Sequence, residues 1–318
     1  MLEIFFCNVG DGDAAIVREF RDDGVPVRAI LVDAGRPYVE SREGSLRKDA
    51  LEYLLDRGVG HLDRIILTHP HIVHVGGALR ILRAIPTDSL EMLTTPPSDA
   101  KRVPRSFTSS RKAGNSLRQS LNILLELTEG AREKGMAVRS LRAGTHHISR
   151  DLTMTVYHPR RDVLDRQRRA FTALYRGFPP DDGFCFRVAK ERNVSSLMLR
   201  FDYAGRSAMI TGDRFAPDWD AEDFPHCDIL KLPHHGDRRS VTTALLDMLS
   251  PGYAVISCEN DPPARKERPC EDAVSLLCAR VPTVYCTENR ALNGFEAATH
   301  NGIRFGIGQD GSISCRTE

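Results

Sequence analysis

A layered α/β fold is what this sequence of 318 residues predicts. Three observations predict it. Short apolar runs of strand length alternate with helical periodicity along the first part of the chain, polar clusters fall at the ends of those runs, and the second half repeats the style. In such folds, polar residues at strand ends mark the functional site.

The opening "LEIFFCNV" reads as a strand, "GDGD" as a turn and "AAIVREF" as a second strand. "RAILVDAG" is a third, ending in Asp33 and Gly35. "SLRKDALEYLLDRGVG" carries apolar residues at Leu46, Ala50, Leu51, Leu54 and Leu55 with Gly58 behind them, which is helical spacing with a glycine stop. "DRIILTH" is a buried strand, and "GGALRILRAI" opens a helix straight after a histidine-bearing turn. Residues 97–120 are polar and basic and predict a surface loop leading into a helix near 115–134. "DLTMTVYHP" returns to strand character. The stretch after it is rich in arginine (Arg160, Arg161, Arg166, Arg168, Arg169, Arg176). Both basic stretches, about 97–135 and 160–190, are expected to be insertions at the rim of a single domain spanning 1–318. Further on, "SSLMLRFDYAGRSAMITGD" is a hairpin about Ala204-Gly205 that ends at Asp213, and "CDILKLPHHG" is a strand ending at His234 and His235. A strand in "GYAVISCEN", a helix in "PCEDAVSLLCARV", "TVYCTE" and a final hairpin complete the chain.

With 41% hydrophobic and 27% charged residues the composition is that of an ordinary globular protein, and a net charge of +1 leaves partner choice to local patches. There is no apolar run of about 18 residues, so no membrane helix or membrane partner is expected. The start lacks the basic region and cleavage site of a signal peptide. The cysteines (Cys7, Cys185, Cys227, Cys258, Cys270, Cys278, Cys286, Cys315) form no CxxC pair, which argues against a zinc ribbon. Cys7, Cys258 and Cys278 lie in apolar contexts where a thiol packs as a small hydrophobe. A reducing, cytoplasmic setting is expected.

The chemistry sits in "LTHPHIVHVGG", residues 67–77, where His69, His71 and His74 follow an apolar strand. Asp213 and the pair His234-His235 end two other strands. Metal sites need such ligands converging from several segments. His69 and His71, two residues apart, can point the same way; His74 at the helix start can face a neighbouring position; Asp213 can bridge two cations.

This order resembles the metallo-β-lactamase superfamily, with its T-H-x-H-x-D-H-x-G-G signature, and more narrowly the hydrolase domain of ComEC DNA-uptake proteins and their stand-alone relatives. The family's V-G-Q-G-D-A is matched by "VGDGDA" at 9–14, its D-x-G by Asp33-Ala34-Gly35, its N-x-x-S-L-V-L-R by Asn193, Ser196 and "LMLR", its T-G-D by 211–213, and its L-K-x-x-H-H-G-S by "LKLPHHGD" at 230–237. The resemblance implies an αββα sandwich of two mixed sheets flanked by helices, and a metal-dependent hydrolase using Zn²⁺ or Mn²⁺. It favours a phosphodiesterase or nuclease acting on nucleic acid or nucleotide, with the arginine-rich rims either gripping phosphate or forming a solvated face. One ion would take His69, His71 and Asp213; the other His74, Asp213 and a histidine of the pair, His235 by preference. Asp213, Asn193 and His234 are the expected catalytic residues.

Departures from the family matter. Val73 stands where the superfamily has an aspartate, Asn193 about where other members place a third histidine, the late N-x-Y-G-H-P has become "ENDPPARKERPC", and Asp237 replaces a serine. The loss at position 73 predicts one occupied site, or a weak second one, unless Asp13, Asp33 or Asp237 approaches. His158, before Pro159, is a further candidate at a strand end. His146 and His147 read as surface residues, and Ser195 and Ser196 as hydrogen-bonding loop residues, since no base is spaced to activate them. A hydrolase of another ester (lactone, thioester or phosphocholine ester) and a catalytically silent binding protein remain the alternatives.

Overall fold

The computed structural model describes residues 1–40, 42–105, 112–178, 182–219, 223–260, 267–292 and 295–318. Period-two alternation sets its layers. Strands β1 (Leu2–Cys7), β2 (Ala15–Phe20), β3 (Pro26–Val32), β4 (Leu62–Leu67), β5 (Thr87–Met92) and β6 (Ala137–Ser140) belong to one sheet. Strands β7 (Gly144–His147), β8 (Leu152–Tyr157), β9 (Met198–Tyr203), β10 (Arg206–Ile210), β11 (Ile229–Lys231), β12 (Tyr253–Ile256) and β13 (Thr283–Cys286) form a second. A short ribbon, β14 (Glu288–Asn289) with β15 (Ala298–Thr299), precedes β16 (Gly302–Ile307) and β17 (Ile313–Thr317), which return to the first sheet. Its order is β17-β16-β1-β2-β3-β4-β5-β6; the second runs β13-β12-β11-β10-β9-β8-β7.

Ile4, Phe6, Val17, Ile30, Val32 and Ile66 of the first sheet meet Met154, Val156, Leu199, Phe201, Ile210 and Val255 of the second in one buried cluster. Their neighbours in sequence face outwards. Phe5, Leu31 and Ile65 pack under α1 (Ala50–Asp56), α3 (Ala78–Ala84) and α4 (Lys112–Glu133) through Leu54, Ile81 and Leu127. On the far face, Met209, Leu230 and Ala254 pack under α7 (Thr243–Leu249) and α8 (Glu271–Arg280) through Leu245, Leu249, Val274 and Leu277. The architecture is the αββα sandwich of two mixed sheets. Fully burying each Leu, Ile or Phe contributes roughly 1.5–3 kcal/mol, so the two-sheet core is the main source of stability.

The basic stretches are more structured than their composition suggests. α4 starts at Lys112, and α5 (Arg161–Tyr175) and α6 (Asp182–Lys190) fill most of the second stretch. They share an apolar cluster of Val103, Leu117, Leu121, Phe171, Leu174 and Val188. Residues 106–111 and the Cys185 side chain lie outside the described residues. α1 begins later than its apolar spacing indicates, because Asp49 caps it in a capping box with Glu52, and Leu46 and Leu55 are exposed. Cys278 is also exposed, whereas Cys7 and Cys258 are buried as expected. No helix among the described residues is long and apolar enough to cross a membrane.

Candidate metal centre

Topology brings the polar strand ends together. β1 and β3 both pair antiparallel with β2, and β4 runs parallel to β3, so the loops after β1, β3 and β4 leave one edge of the first sheet. In the second sheet, β10 and β11 are parallel and deliver Asp213 and the histidine pair. Such an edge, outside the carboxyl ends of parallel strands, is where α/β folds bind ligands. The turn after β4 continues into α2 (Ile72–Val75) and α3. Its glycine pair is required by close approach: a Cβ on Gly77 would lie 2.1 Å from the Ala34 carbonyl oxygen. Asp33 (φ 57°), His234 (φ 51°) and His235 (φ 56°) are held in the left-handed region, a cost of order 1–3 kcal/mol each for non-glycine residues that persists where the surroundings enforce it.

Two groups of donor atoms share Asp213. In the first, His69 Nε2 lies 2.8 Å from His71 Nδ1 and 3.5 Å from Asp213 Oδ2. His71 is half-buried and opens this group to solvent. Arg192, itself buried, donates to the Pro70 carbonyl between the two histidines and fixes the turn; burial lowers its pKa to about 9. In the second group, His74 Nε2 and His235 Nε2 lie 3.3 and 3.7 Å from Asp213 Oδ1. All three residues are buried, and none of these three atoms has a hydrogen-bond partner among the described residues. Leaving three buried polar atoms unsatisfied costs about 1–3 kcal/mol apiece. A divalent cation satisfies them at once, so the donor set fits one.

Protonation agrees with ligation for His69, His71 and His235, whereas His74 has to shed a proton to bind an ion. Burial depresses His69 and His235, and depresses His71 strongly with help from the Arg192 charge, which keeps these rings neutral. Burial also opposes a charge on His74, but Asp213 and Asp33 outweigh it and hold its pKa well above the usual value. Asp213 stays ionised: burial pushes its pKa up, yet His74, His235 and His69 bring it far below the carboxylate range.

The auxiliary candidates fall into distinct places. Asp33 accepts from His74 Nδ1 at 2.8 Å and from the Thr68 backbone N–H at 2.8 Å, orienting the ring as an outer partner. Asp13 stands 3.6 Å from His235 Nδ1 and 3.7 Å from His74 Nδ1, and is ion-paired with buried Lys231. Both carboxylates therefore sit behind the rings, on the Nδ1 side. His234 is not within the donor groups: its Nε2 takes hydrogen bonds from Asn193 Nδ2 and Arg268 Nη2 and lies 4.0 Å from Asp213 Oδ2. Asp237 reaches only His234 Nδ1, at 3.5 Å. His158 departs from expectation: its ring bonds the Leu141 carbonyl and lines a separate cavity, because β8 ends on the far side of β9. Asp11, Lys231, Arg192 and Arg268 were not among the sequence candidates. A lysine inside the apolar run "DILKLP" was a legible signal; the others carry none.

Donors of this kind, converging from both sheets, are those of a metallo-hydrolase. The chain belongs to the metallo-beta-lactamase superfamily: residues 26–259 match that family, Lactamase_B, and it is a family that binds divalent metal ions. It is similar to ComE operon protein 3 of Bacillus subtilis, with 25% identity over 289 residues, 86% of this chain and 30% of that protein. The chain thus spans less than a third of that relative. Among solved structures it resembles the metallo-beta-lactamase fold protein YhfI of Bacillus subtilis (TM-score 0.45, 9% identity, 90% of this chain and 96% of that one). It also resembles an isothiocyanate hydrolase from Delia radicum gut bacteria (TM-score 0.44, 14% identity, 92% and 98%).

Proposed function

We propose that the protein is a metal-dependent phosphodiesterase acting on nucleic acid or nucleotide. The observation that carries the substrate class is a basic cavity of about 640 Å³ lined by Arg64, Arg139, Arg142, His146, His158 and Arg168. It opens where β6 and β7 form the free edges of the two sheets. Arg64 is paired with Glu91, but Arg139, Arg142 and Arg168 have no carboxylate partner among the described residues. Most other arginines of the second basic stretch are neutralised: Arg160, Arg161, Arg166 and Arg176 pair with Asp162, Asp165, Glu191 and Asp99. The cavity is separate from the donor groups; Arg214, next to Asp213, donates to the His158 carbonyl at 3.2 Å. Unpaired guanidinium groups match phosphate geometry.

A bound divalent cation would supply Lewis acidity, polarising a phosphoryl oxygen and making water deprotonate near neutral pH. His69, His71, His74, Asp213 and His235 would hold it. The Asn193 amide and His234 flank Asp213, and the Arg268 guanidinium beside them can balance charge developing on a phosphoryl oxygen. The test is hydrolysis of single-stranded DNA, RNA and bis(p-nitrophenyl) phosphate with Zn²⁺ or Mn²⁺, beside a panel of lactones, thioesters and phosphocholine esters. Turnover of phosphodiesters that is lost in His69→Ala supports the reading. Turnover confined to carboxylic esters refutes it, and metal binding without any turnover favours the silent binding protein that Val73 suggests.

A further inference from the structure

Position 73 brings no carboxylate to the second donor group. Asp13 and Asp33 do not replace it, because imidazole rings stand between them and the Nε2 atoms that face Asp213. Asp11 is placed differently. Its Oδ1 lies 4.0 Å from His235 Nε2, the same atom that lies 3.7 Å from Asp213 Oδ1. Two donors sharing a zinc-like ion through bonds of about 2.1 Å are at most about 4.2 Å apart. His74–Asp213 at 3.3 Å, Asp213–His235 at 3.7 Å and His235–Asp11 at 4.0 Å fall inside that limit; Asp11 stands outside the close group of His74, Asp213 and His235, so its side chain has to swing inwards to join it.

We propose that Asp11 is the carboxylate ligand of the second ion, replacing the side chain that Val73 lacks. The turn that carries it touches the histidine turn. Asp13 N–H donates to the Val73 carbonyl at 3.3 Å, and a Cβ on the intervening Gly12 would lie 2.6 Å from that oxygen. A carboxylate lost from one turn is therefore available on the other without moving the backbone far. Asp11 is also held in position. Its N–H donates to Glu259 at 3.0 Å, and Arg36 donates to its carbonyl at 3.1 Å and to Oδ2 at 2.7 Å. That leaves Oδ1 towards His235, with Arg268 Nη1 at 3.5 Å. The cavity of about 170 Å³ lined by Asp11, Arg36 and Tyr38 gives the position an opening to solvent.

The test is zinc stoichiometry by equilibrium dialysis and elemental analysis on the full chain. Wild type is expected to take two ions. Asp11→Asn keeps the first and binds the second at least ~10-fold more weakly. Val73→Asp added to Asp11→Asn restores the second ion, a recovery that a damaged fold would not show. Asp11→Asn binding both ions as tightly as wild type overturns the proposal, as does a double variant no better than the single one. The inference rests on the metal centre of the proposed function, and the outcomes separate them. A wild type without zinc sinks both readings, whereas one ion per chain, unchanged in Asp11→Asn, sinks only this one.

Discussion

The two donor groups share Asp213 yet differ in what surrounds them. In the first, His69 and His71 satisfy each other across 2.8 Å, and half-buried His71 faces the opening. In the second, the facing atoms of His74, His235 and Asp213 are buried and unsatisfied, and carboxylates stand behind both rings. The first group meets the family pattern and can rest without an ion; the second departs from the pattern at Val73 and has the stronger physical need for a cation. A missing ligand letter in a motif therefore does not rank two sites. What ranks them is which buried atoms are left without partners.

The largest expected effect breaks both groups together. Asp213→Asn removes the shared bridge and should lower affinity for both ions and turnover by at least ~10²-fold, since outer partners alone are worth about 10–100-fold; isothermal titration with Zn²⁺ checks it. Asp33→Asn acts directly on the second group, through His74 Nδ1, and reaches the first only by way of Thr68 Oγ1, 3.1 Å from His69 Nδ1. It should weaken the second ion by about 10–100-fold and the first by much less. An equal loss at both would mean that the groups are not separable.

Smaller effects lie outside the donors. Arg142→Ala with Arg168→Ala should weaken single-stranded DNA binding across sequences and reduce the salt slope by about 1.4, near 0.7 per phosphate contact, with zinc stoichiometry unchanged. The smallest effect is a control for acid. Burial opposes ionisation of Glu3, but Arg18 and Arg57 outweigh it and lower its pKa. A depressed carboxylate contributes stability above its unfolded pKa of about 4.3 that is lost as pH falls through the folded value. Glu3→Gln should therefore flatten the acid limb of thermal stability and leave metal binding near pH 7 intact. A steep acid limb in the variant would assign that limb to other groups.

Much of this was legible before the fold was known, for physical reasons. His69, His71 and His74 share one turn, and Asp213 and His235 end strands whose apolar runs are plain, so motif and periodicity found them together. Asp11 and Arg268 are single charged residues with no spacing rule, and only the packing of the β1 turn against the histidine turn reveals what Asp11 faces. His158 was misplaced because a strand end alone does not say which edge of a sheet it reaches. The helix near 115–134 was legible as α4, but α5 and α6 were obscured by arginines, although Val163, Leu164, Gln167, Ala170, Phe171 and Leu174 keep helical spacing on one face of α5.

The central claim is that Asp213 joins two ions in one centre. Electron paramagnetic resonance of the Mn²⁺-loaded protein tests it most directly. Two ions about 3.5–4 Å apart should give the exchange-coupled signal of a bridged pair, which collapses to that of isolated ions in Asp213→Asn. The hyperfine pattern of an isolated ion at every loading of the wild-type protein would contradict it.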